Sequence, residues 1–103
     1  MPISNQWWSL TDGVVAYDKE ESGVYELSNS SGAVIYIGSG DNLRRRLKEH
    51  INGSHSDCVK RNAVKYRLEY TSRHKAREKQ LYDEHVRIFG KPPLCNVVAP
   101  SGY

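Results

Sequence analysis

Glu78 is the residue whose place in this chain most needs a chemical reason. In the helical pattern ending near Gly90, Leu81, Tyr82, His85 and Phe89 project within about 60° of its direction, so its carboxylate sits in an apolar stripe. An unpartnered charge there is costly. Two arrangements meet that cost: an ion pair with an arginine, Arg46 being one candidate, or a hard cation held at the floor of a cleft. Lys79, Asp83, Glu84 and Arg87 mostly fall on the expected solvent face, and His85 reads as a satisfied core histidine.

Tyr25 and Tyr36 are the next pair to consider. Gly23 to Leu27 and Ala33 to Gly38 are rich in β-branched and aromatic residues and flank the turn formers Asn29, Ser30, Ser31 and Gly32, which predicts a β-hairpin. If those four form the loop, Ser28 pairs with Ala33 and Tyr25 lies opposite Tyr36, so two phenols share one face. That inference depends on register, because a one-residue slip sends one phenol to the other face. After Gly38-Ser39-Gly40 a helix is expected from Asp41, read as its N-cap, to Asn52. Leu43, Leu47 and Ile51 form its buried stripe. Arg46 and His50 lie about 40° apart at the stripe's edge.

With 103 residues the chain has room for one domain. The expected organisation is an N-terminal arm over residues 1–22 packing on a domain at 23–98, with a tail at 99–103. Charge is uneven: residues 1–40 carry one Lys against five acids, whereas residues 41–79 carry twelve Lys or Arg against five. A basic middle third suits a polyanion, the bland alternative being a solvated helix face. No apolar run reaches a membrane span and no secretory signal is visible, so the default location is cytoplasmic. Cys58 and Cys95 stand alone without a CxxC motif, and both read as packing residues.

Elsewhere, Ser9 or Thr11 is expected to cap a short helix through Val14, Val15 and Tyr17. One of Trp7 and Trp8 should cover the core, the alternatives being a dimer contact or a base-stacking platform. Cys58 to Asn62 suits a helical turn. Val64 to Thr71 alternates as a half-buried strand. Ser72 is expected to cap the last helix, which stops at Gly90 before Pro92 and Pro93. Leu94 to Val98 suits a short extended segment, with Asn96 presenting its amide toward the start of that helix.

In order, Gly23-Val24-Tyr25, Tyr36-Ile37-Gly38, Asn42-Leu43 with Arg46 and His50, Glu78 and Asn96 resemble the GIY-YIG nuclease superfamily over about residues 23–97. The first tripeptide has Val24 where the superfamily's name has Ile. The resemblance implies an α/β domain of α+β type, with a small three-stranded antiparallel sheet flanked by helices, that cuts phosphodiester bonds with Mg²⁺ or Mn²⁺. It places catalytic roles on Tyr25, Tyr36, Arg46, His50, Glu78 and Asn96. Glu78 would ligate the metal, Arg46 would offer a bidentate fork to the phosphate, and Tyr25 is the candidate general base, with His50 or Tyr36 relaying its proton. Candidate nucleic-acid contacts are Arg44, Arg45, Lys48, His55 and Lys75. The implied partner is DNA rather than RNA, in repair or recombination, with a homodimer or a protein partner supplying specificity. The competing reading is a noncatalytic nucleic-acid-binding module that keeps the fold.

Overall fold

A computed structural model describes residues 3–53 and 56–96. The chain begins with a two-residue strand, β1 (Trp8–Ser9), and one helical turn, α1 (Asp12–Val15), capped by the Thr11 hydroxyl, which accepts the Val14 amide. The hairpin β2 (Gly23–Ser28) and β3 (Val34–Gly40) follows, then α2 (Leu43–Asn52), α3 (Asp57–Asn62), β4 (Lys65–Tyr70) and α4 (His74–Phe89). Every strand pairs antiparallel, in the order β1-β4-β2-β3. The sheet has four strands where three were expected, because Trp8 and Ser9 pair with Tyr66 and Lys65 along the outer edge of β4. Of the expected extended segment at 94–98, residues 97 and 98 lie outside the described residues, as does the tail at 99–103.

β2 is buried from end to end because helices cover both faces of the sheet. On one face Tyr25, Leu27 and Tyr66 pack with Val15 of α1, Leu43 and Leu47 of α2 and Val59 of α3. On the other, Val24 and Ile37 meet Leu81 of α4 and Ile3 of the arm. Leu43 and Leu47 are fully buried, each burial contributing about 1.5–3 kcal/mol. The stripe of α4 is shorter than expected: Leu81 is buried, but Phe89 is 62% exposed, its ring lying against that of His85 at 4.6 Å.

The hairpin register differs from expectation by two residues. Asn29 Oδ1 accepts the Ser31 and Ala33 amides, and Gly32 turns the chain at φ 88°, a conformation that favours glycine. Leu27 then pairs with Tyr36 but Ser28 with Val34, which leaves Ile35 as an extra, bulged residue. Tyr25 consequently faces Gly38 rather than Tyr36. A displacement of two preserves the face, and the two tyrosines remain diagonal neighbours on one side of the sheet.

Two helix starts also differ. Asn42, not Asp41, caps α2, its Oδ1 accepting the Arg45 amide at 3.0 Å. Ser72 does not cap α4: the residue before that helix is Arg73, whose amide donates to Thr71 Oγ1, while the Thr71 amide is held by Ser22 O. Neither tryptophan covers the core. Trp8 is 49% exposed, and Trp7 lies over the Arg67 guanidinium, which reaches the buried Glu26 at 2.6 Å.

Cys58 and Cys95 are not free packing residues but a disulfide across 37 residues, with Cα atoms 5.6 Å apart. The first turn of α3 and the segment after α4 meet at the bulged strand, where the Cys95 amide donates to Ile35 O. Sequence spacing carried no sign of that meeting.

Candidate active site

The cross-strand neighbour of Tyr25 is a glycine, so its ring can lie over the strand. A Cβ at position 38 would fall 2.5 Å from both Cζ and Oη of Tyr25 and 2.8 Å from the ring of Tyr36. With that space open the two phenol rings stack at 6.1 Å between centroids, and His50 closes on both, 5.5 Å from Tyr25 and 5.0 Å from Tyr36. His50 comes from the last turn of α2, where it is wholly buried beside Leu47. Its Nε2 is 2.7 Å from Tyr25 Oη.

Environment divides the two phenols. Tyr25 is only 1% exposed, and burial first, then the neighbouring Tyr36, pushes its pKa well above that of an ordinary tyrosine. Tyr36 is half-buried. Burial and Glu78 raise its pKa, while Arg46 and a hydrogen bond with Tyr25 oppose the rise.

Arg46 stands one turn before His50 on α2, running beside Gly40, whose added Cβ would sit 3.4 Å from Arg46 Nε. Its Nη1 lies 3.5 Å from Glu49 Oε1, whereas the hydrogen bond to the Glu78 carboxylate comes from Ser39. The Arg46 charge nevertheless acts on Tyr25, Tyr36 and Glu78.

Glu78 approaches from α4 on the opposite face of the sheet, and its Oε1 accepts a hydrogen bond from Ser39 Oγ of β3. Burial is the largest effect on its carboxyl and raises its pKa; the Ser39 hydroxyl and the charges of His74, Arg46 and Lys75 oppose it. Sequence reasoning missed both Ser39, taken only as part of a Gly-Ser-Gly turn, and His74. The signals were present: strand alternation puts Ser39 on the face opposite Tyr36, and His74 precedes Glu78 by one turn.

Asn96 spends both ends of its amide on Ile37, accepting from its N–H at 2.9 Å and donating to its C=O at 3.0 Å. Rather than presenting a free amide, it completes the outer edge of β3 between Tyr36 and Gly38. Arg44, Arg45 and Lys48 line a groove of about 530 Å³ along α2 with Asn42, Glu20 and Glu49. Arg44 is held by Glu20 at 2.8 Å. Lys75 is exposed on the first turn of α4, and His55 lies outside the described residues.

Among the described residues no group of three or more His, Cys, Asp or Glu side chains gathers as a metal cage. The oxygen donors in contact there are the Glu78 carboxylate and the Ser39 hydroxyl, with the Tyr36 phenol on the other face of β3 but within electrostatic reach of Glu78. One carboxylate in an oxygen-rich setting fits Mg²⁺, which commonly keeps several waters and takes one or two carboxylates besides substrate phosphate. Among the described residues no helix is long and apolar enough to cross a membrane.

The fold superposes on solved structures of the GIY-YIG N-terminal endonuclease domain of UvrC from Thermotoga maritima. The magnesium-bound form matches with a TM-score of 0.60 and 25% identity, over 82% of this chain and 93% of that one. A point mutant bound to its catalytic divalent cation gives 0.60 and 25% over 84% and 93%. UvrABC system protein C of Bacteroides thetaiotaomicron is 37% identical over 43 residues, 42% of this chain but 7% of the relative. That of Chlorobium chlorochromatii is 42% identical over 33 residues, 32% and 5% respectively. The chain thus spans only a small fraction of the curated relatives it matches. Residues 1–87 match the model of the family described as "Domain of unknown function (DUF7508)", and the chain belongs to that family, built on the GIY-YIG fold.

Proposed function

We propose that this domain is a divalent-metal-dependent endonuclease that hydrolyses phosphodiester bonds in DNA. The observation that carries the reading is the convergence of Tyr25, Tyr36 and His50 on one side of the Gly38 edge with Glu78 on the other, Arg46 acting on both. A binding module would have no use for a carboxylate buried against its own charge beside two phenols.

On the strength of burial, we assign the base to the other phenol of the pair than the sequence-based reading does. Tyr25 cannot meet a water at 1% exposure, so Tyr36 is the phenol that orients the attacking water and takes its proton. As Tyr36 accepts that proton it passes its own to Tyr25, and Tyr25 passes its own to His50 Nε2 across the 2.7 Å bond. One proton leaves the water and one arrives on the imidazole, so neither phenol must stay ionised. Arg46 offers its fork to the phosphate and stabilises the charge gathering on its oxygens. A divalent cation held by Glu78 would supply Lewis-acid charge at the phosphate and leaving oxygens. Asn96 acts at a distance by holding β3 in place. A single module buries about 600–1,000 Å² on DNA, so selectivity would come from a second copy or a protein partner.

The test is cleavage of supercoiled plasmid and of flapped or branched DNA and RNA panels with Mg²⁺ or Mn²⁺. Wild type should cut DNA only with metal, and Glu78→Ala should bind without cutting. Equal behaviour of the two, with binding and no cutting in either, would leave the noncatalytic module as the answer.

A further inference from the structure

The metal-site reading of Glu78, on which this inference rests, leaves open how one side chain on a helix is aimed. We infer that Ser39 is a positioning residue that fixes Glu78 as a one-oxygen ligand, with a His74–Asp41 bridge holding Ser39 in place.

Ser39 lies on the face of β3 that meets α4, and its hydroxyl donates to Glu78 Oε1. Glu78 makes no other hydrogen bond or ion pair among the described residues, so Oε2 is left for a cation. A carboxylate with one oxygen engaged by a hydroxyl is poorly disposed to chelate through both. One-oxygen ligation suits a small octahedral ion such as Mg²⁺ or Mn²⁺, whereas Ca²⁺ accepts bidentate carboxylates. Such outer hydrogen bonds orient ligands, and their loss typically costs about 10–100-fold in metal affinity.

A second contact braces the first. Asp41, two residues beyond Ser39, meets His74 Nε2 at 3.2 Å; the His74 side chain is 14% exposed but that of Asp41 is 87% exposed, so solvent screens this bridge and it adds less than the Ser39 contact. His74 and Glu78 are one turn apart on α4, about 40° around its axis. The turn after β3 is therefore tied twice to the first turns of α4. The tie also fixes where Arg46 enters, since α2 begins directly after Asp41.

The experiment titrates Mn²⁺ and Ca²⁺ into the isotopically labelled protein, reading paramagnetic broadening and amide shifts around residue 78. Ser39→Ala should weaken Mn²⁺ binding about 10–100-fold while leaving Ca²⁺ affinity at the wild-type value, and Ser39→Thr, which keeps the hydroxyl, should keep Mn²⁺ binding. Ser39→Cys, nearly isosteric but a weak donor, should behave like Ser39→Ala and covers a failure of the alanine variant to fold. Asp41→Ala should give a smaller loss in the same direction. Wild-type Mn²⁺ affinity in Ser39→Ala and Ser39→Cys, or an equal loss for Mn²⁺ and Ca²⁺, overturns the inference alone. Absence of any Glu78-dependent Mn²⁺ binding in the wild type overturns the metal-site reading, and this inference with it.

Discussion

Tyr25 occupies the space that a side chain on Gly38 would need: a Cβ there would sit 2.5 Å from the phenol oxygen. The glycine is thus a requirement of the tyrosine across from it. Gly38→Ala forces the phenol off the strand and away from His50 Nε2. Overpacking of this kind costs about 1–3 kcal/mol, and denaturant unfolding should show a loss in that range. Cleavage should fall much further than stability, because the displaced group is part of the relay.

Tyr36→Phe and Tyr25→Phe separate the two phenols. If Tyr36 faces the water, its replacement should lower the single-turnover rate by about 10²–10⁴-fold, the usual worth of a proton-transfer group. Tyr25→Phe should lower it less, because it removes only the link between Tyr36 and His50. A larger loss at Tyr25 than at Tyr36 would return the base to the buried phenol.

The disulfide ties stability to the site. Cys58–Cys95 closes 37 residues, for which loop-closure arguments give about 2–4 kcal/mol of stabilisation. Cys58→Ser, or treatment with a dithiol reductant, should lower stability by that amount. Asn96, next to Cys95, grips Ile37 between Tyr36 and Gly38, so cleavage should fall as well. An Asn96→Ala protein with its disulfide intact should reproduce the activity loss with less of the stability loss.

What was legible in the sequence was periodic or chemically out of place. Leu43, Leu47, Tyr66 and Leu81 are buried where the 3.6- and 2-residue periods put them, and Glu78 announced itself by interrupting a stripe. Contacts that depend on where two remote segments meet were not legible. The pairing of Cys58 with Cys95 needs α3 and the segment after α4 side by side, and the edge strand β1 is two residues long, too short for any period. A turn one residue longer than expected and the one-residue bulge at Ile35 together moved the register by two, yet the phenols stayed together because strand faces repeat every second residue. Ser39 and His74 became visible only once α4 lay against β3.

Binding should depend on salt through specific lysines. Each phosphate contact contributes about 0.9 to the slope of log K against log salt, so Lys48→Ala and Lys75→Ala should each flatten that slope by about one. Arg44 is engaged by Glu20 at 2.8 Å, and Arg44→Ala should change the slope less. Glu20→Gln releases the arginine and should tighten binding at low salt. Titrations of a fluorescent oligonucleotide at several salt concentrations measure all four variants.

Glu78→Gln should stabilise the fold while abolishing cleavage. Burial raises the Glu78 pKa above its ordinary value of 4.5, so the folded protein holds that proton more tightly than the unfolded chain. The stability linked to this proton is fully present below about pH 4.5, the unfolded value, and is lost as pH rises through the raised folded value. At neutral pH the buried charge is therefore a liability, which glutamine removes while its side-chain oxygen still accepts from Ser39. The Tm of Glu78→Gln should exceed that of the wild type at pH 7. The gain should shrink as pH falls through the raised pKa and vanish below about pH 4.5, where both side chains are neutral. Saturating Mg²⁺ should narrow the difference at pH 7 by stabilising only the protein that keeps its carboxylate. A lower Tm for Glu78→Gln at pH 7 without metal would mean that the Ser39 hydroxyl and the charges of His74, Arg46 and Lys75 outweigh desolvation.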